Sequence, residues 1–129
     1  MKELSRIQKR HNLNEVFVVD QPHDVSKGNH MYHIAQRVID PTTGLVVELK
    51  PLLDINFQNG PRKDPSAIHG VLDTDLLEIV RHRLIGFQSG PYATRENAIA
   101  LTHIEEALMW MNKRVEDREE RGVLGTNTK

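Results

Sequence analysis

The spacing of apolar residues changes near residue 70, and that change limits the chain to a fold with two dissimilar parts. Ahead of it, apolar residues come in short runs rich in β-branched types: Val16–Val19, Met31–Ile39, Leu45–Leu49 and, shorter, Ile55–Phe57. Runs of this length between turn residues read as strands. Asp40-Pro41-Thr42-Thr43-Gly44 separates the second run from the third. Proline presets a turn and glycine supplies a positive φ, so these two runs form a hairpin. From Gly60 to Gly70 the chain is loop-like and carries Arg62 and Lys63.

Beyond residue 70 the period is helical. Asp73-Thr74-Asp75 offers an N-cap, with Glu78 three residues past Asp75. Leu76, Leu77, Val80, Leu84 and Phe87 then share one face. Ser89-Gly90-Pro91 stops this helix and starts a second, expected from about Tyr92 to Arg121, where Gly122 ends it. Two long helices joined by a tight turn make an antiparallel hairpin. The expected fold is α+β: a small N-terminal antiparallel β-sheet in a β-rich region over 1–70, an antiparallel two-helix hairpin over 71–122, and a tail over 123–129 that a neighbour has to order.

Composition narrows the function classes. The 129 residues suit one domain, or one domain with an appendage. Hydrophobic content of 38% and aromatic content of 5% are thin for a monomer that must bury a full core alone, which points to association. A net charge of −1 speaks against a general nucleic-acid or membrane-surface binder, since both need a broad basic field. With no cysteines, disulfides and thiolate zinc sites are excluded and the cytosol is the default compartment. The opening MKELSRIQKRHNLNE lacks the apolar run of a signal peptide, and no stretch approaches the roughly 18 apolar residues of a spanning helix. A soluble protein is expected, with neither DNA nor a membrane as partner.

The second helix carries the most informative pattern. Asn97, Leu101, Ile104, Leu108, Met111 and Val115 fall within about 80° of each other on a helical wheel. Their spacing alternates between four and three, as in a coiled-coil seam that packs on the first helix or on another subunit. Asn97 heads this seam and its amide needs a partner, either as a local cap or register residue or as a ligand contact at the hairpin turn. Between Lys113 and Arg121 the four basic and four acidic residues cancel. Yet Arg114, Arg118 and Arg121 stand at i, i+4 and i+7, within about 60°, and His103, Ala107 and Trp110 continue the same stripe. Guanidinium forks match phosphate oxygens in pairs and stack on rings. A solvated face with i,i+4 ion pairs, or arginines complementing the helix dipole, accounts for the same pattern without a ligand.

The turn Gly86-Phe87-Gln88-Ser89-Gly90-Pro91-Tyr92 sets two aromatics, a hydroxyl and an amide near a helix N-terminus. Backbone N–H groups there favour anions, and aromatics offer a face to a base. Asn97 and Arg114 lie 17 residues apart on one helix, roughly 25 Å at 1.5 Å per residue. One small ligand touching both therefore has to sit between subunits.

Three blocks carry a resemblance. Phe87-Gln88-Ser89-Gly90-Pro91-Tyr92-Ala93-Thr94-Arg95-Glu96-Asn97-Ala98, Ile104-Glu105-Glu106-Ala107-Leu108-Met109-Trp110 and Asp117-Arg118-Glu119-Glu120-Arg121-Gly122-Val123-Leu124-Gly125-Thr126 follow each other in helical register. Over roughly residues 71–127 the chain resembles the helical hairpin of the Thoeris anti-defence sponge family of phage proteins, shared with anti-CBASS sponges. The β-rich N-terminal half looks more like the Thoeris type. The resemblance implies a non-catalytic protein of the infected bacterial cytoplasm. It binds cyclic ADP-ribose isomers, and cyclic di- or trinucleotides, without cleaving them, in pockets between the subunits of a homo-oligomer, a hexamer in similar proteins. Carried over by motif, Phe87 stacks on a base, Asn97 hydrogen-bonds the ligand, Arg114 and Arg118 bind phosphate, and Arg62 closes the pocket. Arg121 and Thr126 become candidates for a second, cyclic trinucleotide site. No cofactor and no metal is implied.

Two other readings compete. His30-x-x-His33 among the seven histidines invites a metal-dependent enzyme. On a strand that spacing puts the rings on opposite faces, on a helix no acid completes the ligand set, and His82 and His103 each stand alone. No activated serine or cysteine nucleophile is visible. The remaining alternative is a structural module, with the hairpin as an assembly device and no small-molecule ligand.

Overall fold

Short apolar runs separated by turn residues become three of the four strands in the computed structural model, which describes residues 1–129. They are β1 (Lys2–Glu3), β2 (Asn14–Val18), β3 (Met31–Ile39) and β4 (Val46–Asn56), in an antiparallel sheet of order β1-β2-β3-β4. The β3–β4 turn closes as its residues dictate. Asp40 Oδ1 accepts the Thr42 N–H at 2.8 Å, Gly44 adopts φ 73°, and Asp40 N–H donates to Leu45 O at 2.9 Å. By its internal packing the chain divides after Phe57, ahead of the change in hydrophobic period, into units Met1–Phe57 and Gln58–Lys129.

The sheet departs from expectation in two places. β1 has no apolar signature; it is held by main-chain pairing of Lys2 and Glu3 with Val18 and Phe17. The runs Leu45–Leu49 and Ile55–Phe57 are not separate, because β4 passes through Pro51. Arg37 N–H donates to Leu13 O, so this parity of β3 residues turns its polar groups toward β2. Pro51 lies opposite Ala35, of the same parity, and its nitrogen therefore faces the open edge, where no ladder bond is lost. The register slips by one residue beside Ala35 and again beside Ile39. Bulges and an edge proline together blunt a strand that would otherwise recruit another. Ala35, 1% exposed, is the one fully buried apolar side chain. Glu15 opposite it is buried against Arg37 Nε at 2.9 Å, with Arg6 at 4.0 Å.

The β2–β3 connection is held by Asp20. Its carboxylate accepts the N–H groups of His30 (2.9 Å) and Met31 (3.2 Å) and approaches Asn29 Nδ2 at 3.4 Å. Burial opposes ionisation, but the hydrogen bonds from the His30 and Met31 backbone and the Asn29 side chain, with that of Asp20's own backbone, together outweigh it and hold the carboxyl below its ordinary value. A depressed carboxyl stabilises the fold fully above its unfolded pKa, about 4, and that contribution is lost as pH falls through the lower folded value. Asp20→Asn is therefore expected to flatten the acid limb of melting temperature plotted against pH below about pH 4. An unchanged limb would show that Asp20 does not set it.

In the second unit, α1 spans Asp73–Gln88 and α2 spans Arg95–Glu120. Both begin differently from expectation. Leu72 occupies the N-cap of α1 and offers no acceptor; instead Asp75 Oδ2 takes the Leu72 N–H at 2.8 Å, the acidic half of a capping box. α2 begins not near Tyr92 but at Arg95, because Thr94 caps it by accepting Asn97 N–H at 3.1 Å. Pro91 and Tyr92 remain in the turn. Gln88 closes that turn, its amide donating to Thr94 O and accepting Thr94 N–H, both at 2.9 Å.

The α2 seam is as the wheel describes. Asn97, Leu101, Ile104, Leu108, Met111 and Val115 are all partly covered. On α1 the covered row is Thr74, Leu77, Arg81, Leu84 and Gln88, again spaced three and four. Arg81 Nε meets Glu105 Oε2 across the hairpin at 2.8 Å. Val80 (43% exposed) and Phe87 (41%) fall on a second, open row with Arg83, while Leu76 at its start is partly covered. The apolar face of α1 is thus wider than one partner helix covers.

Candidate functional site

The end of the hairpin away from its turn holds the candidate site. Gly122, at φ 70°, turns the chain back on itself after α2, and Val123 N–H donates to Arg118 O at 3.0 Å. The tail that follows lies in the same unit as the loop carrying Arg62. Between them opens a cleft of about 510 Å³, within the range of small-ligand pockets. Arg62, Arg114, Arg118 and Thr126 all line it. So do Leu72, Asp73 and Thr74 at the start of α1, where the N-terminal backbone N–H groups carry partial positive charge, although that of Leu72 is taken by Asp75.

Electrostatics separates this cleft from its neighbour. It sets three guanidiniums against one carboxylate, Asp73. A second depression, about 390 Å³, is lined by Trp110, Lys113, Arg114, Glu116, Asp117 and Glu120, where three carboxylates face two cations. An anion is favoured in the first and opposed in the second.

The three arginines differ. No carboxylate lies within ion-pair distance of Arg62 or Arg114, so neither guanidinium is neutralised by a partner. Arg118 is only 7% exposed. Its Nη1 donates to Thr128 O at 2.5 Å, and its Nη2 to Val123 O at 3.0 Å and Thr126 O at 2.9 Å. Its charge borders the cleft, while three of its five N–H donors hold the tail. Arg121 does not line this cleft; it pairs with Asp117 at 3.5 Å and donates to Lys129 O. Of Arg121 and Thr126, which the resemblance groups, Thr126 lines this cleft.

Phe87 and Asn97 lie at the turn and do not line the cleft. Thr94 binds the Asn97 backbone and leaves the carboxamide half-exposed. Arg83 stacks its guanidinium 5.3 Å from the Phe87 ring centre. That pair was not singled out from sequence, although i,i+4 spacing could have shown it. Gln58 and Leu124 were also passed over; they join the cleft through loops that carry no periodic signal.

The histidines are engaged separately. His33 Nδ1 lies 2.6 Å from Asp54 Oδ1 across β3 and β4, and His30 Nδ1 3.8 Å from Asp20 Oδ2. No group of three or more histidine or acidic side chains converges as a metal would require. No helix is long and apolar enough to cross a membrane.

Comparison with known proteins adds two findings. Residues 50–116 match the family model described as the Acb2/Tad1 hairpin domain. The chain is also 50% identical over 78 residues to "Thoeris anti-defense 1" of Bacillus phage SBSphiJ7, an alignment covering 60% of this chain and 54% of that protein. The chain thus spans about half the length of the curated relative it matches.

Proposed function

This chain belongs to the Acb2/Tad1 hairpin-domain family, and from that premise we propose that it serves phage anti-defence as a sponge for cyclic nucleotide signals. It binds cyclic ADP-ribose isomers, and cyclic di- or trinucleotides, in the cytoplasm of the infected bacterium and holds them intact. The observation that carries this reading is a cleft with three guanidiniums and a helix N-terminus against a single carboxylate. A guanidinium grips phosphate but keeps its proton at any working pH, so these groups bind and do not shuttle protons. That fits sequestration better than hydrolysis.

In this proposal Arg114 and Arg62 grip the phosphates, and Arg118 adds charge. Phe87 and Asn97 come from another copy of the chain, stacking on a base and bonding the guest. Asn97 stands about 25 Å from Arg114 along α2, and Phe87 lies at the same hairpin turn as Asn97, which is the reason for the second copy. The assembly is a homo-oligomer, a hexamer on the resemblance. Arg121 and Thr126 serve a second nucleotide site.

The test is calorimetry against a panel of cyclic ADP-ribose isomers and cyclic oligonucleotides, followed by heat denaturation and analysis of what is released. Saturable binding with the nucleotide recovered unchanged is expected. A cleaved product, or no heat with any member of the panel, would overturn the proposal. The hydrogen bonds from Arg118 to its own tail favour a second reading, a purely structural hairpin, which predicts the no-heat result.

A further inference from the structure

We infer that the C-terminal tail is the positioning element for Arg62, and that Arg118 acts on a guest chiefly by holding that tail; the inference rests on the cleft being the nucleotide site. The loop carrying Arg62 is closed at its base, where Asn59 and Ile68 exchange backbone hydrogen bonds at 2.9 and 2.8 Å. Nearer its tip, Asp64 Oδ1 accepts both the N–H (2.9 Å) and the hydroxyl (2.7 Å) of Ser66. These bonds shape the loop without fixing where Arg62 stands relative to Arg114.

The tail supplies that link. Lys63 N–H donates to Gly125 O at 3.1 Å. Gly125 has φ 78°, and a Cβ there would fall 3.1 Å from Lys63 Cγ. The tail backbone therefore comes close to the residue next to Arg62 at a position that suits glycine. The tail is in turn held by the carbonyls of Val123, Thr126 and Thr128 on the Arg118 guanidinium. The chain of support runs from α2 through Arg118 to the tail, from Gly125 to Lys63, and so to Arg62. Arg118 is buried, and the part of its fork that would take a phosphate in two bonds is already engaged. Arg62 and Arg118 are then coupled, not independent.

Two variants test this: the chain ended after Gly122, and Arg118→Lys, which keeps the charge but replaces the planar fork, whose two Nη atoms reach the three carbonyls, with a single nitrogen. Hydrogen exchange of the Lys63 amide, measured without any nucleotide, is expected to quicken at least tenfold in both. The amides of Asn59, Ile68 and the α1–α2 seam should keep their protection. Unchanged Lys63 protection overturns the inference. With cyclic ADP-ribose isomers as probes, Arg62→Ala should cost about tenfold in the full chain and under about twofold in either variant. Equal losses in all backgrounds also overturn it. Exposed Lys63 amide in the variants together with no binding by the full chain would instead count against the sponge reading.

Discussion

Arg114→Ala is expected to weaken binding of a cyclic ADP-ribose isomer by roughly 1.5–3 kcal/mol, about 10- to 150-fold, the scale of a hydrogen bond to a charged group. Arg114 has no internal partner to lose, so its melting temperature should stay within about 1 °C of the parent. Arg114→Lys separates two contributions. It keeps the charge and loses the planar fork, and should recover less than half of the lost free energy if a phosphate is held in two bonds. Arg121→Ala is the internal comparison. That guanidinium pairs with Asp117 on an exposed surface and does not line the cleft, so its loss should hardly change binding of the same isomer. Titration calorimetry on the three variants decides the matter. Equal affinities across them would favour the structural reading of the arginine stripe.

How far the site was legible depended on whether its residues belong to a periodic element. The stripe Arg114–Arg118 and the seam from Asn97 to Val115 follow from helical geometry alone, and the structure retains both. Periodicity could not say that Arg118 faces its own tail, because the tail turns back through two glycines at positive φ and has no period. The same limit hid Gln58 and Leu124 in the cleft wall. It also misplaced the start of α2. Pro91 is acceptable in a first turn, but Thr94 is the residue that can cap the Asn97 N–H. In the sheet, the runs Leu45–Leu49 and Ile55–Phe57 read as separate, and Pro51 lies between them inside one strand. Proline is tolerated at an open edge, and which strand would be the edge was not readable from local spacing. β1 is set by pairing with β2 and not by its own two side chains.

The wide apolar face of α1 yields the second large effect. Leu77 and Leu84 lie in the row covered within the hairpin, whereas Val80 and Phe87 lie in the open one. An aspartate in the α1–α2 seam and one in the open row should act quite differently. Leu108→Asp puts a charge into the α1–α2 seam, removing a partly covered leucine and desolvating a carboxylate. It is expected to cost at least about 2 kcal/mol and to melt the hairpin as a unit, a large share of a small domain's stability. Val80→Asp leaves that seam alone. If the open row is where copies of the chain meet, this variant should remain helical by circular dichroism yet scatter light as a smaller species. Its melting temperature should also lose the rise with protein concentration expected of an assembly stabilised by mass action. A parent chain that is monomeric at micromolar concentration, with the same melting temperature at all dilutions, would remove the second copy on which Phe87 and Asn97 depend to reach the guest.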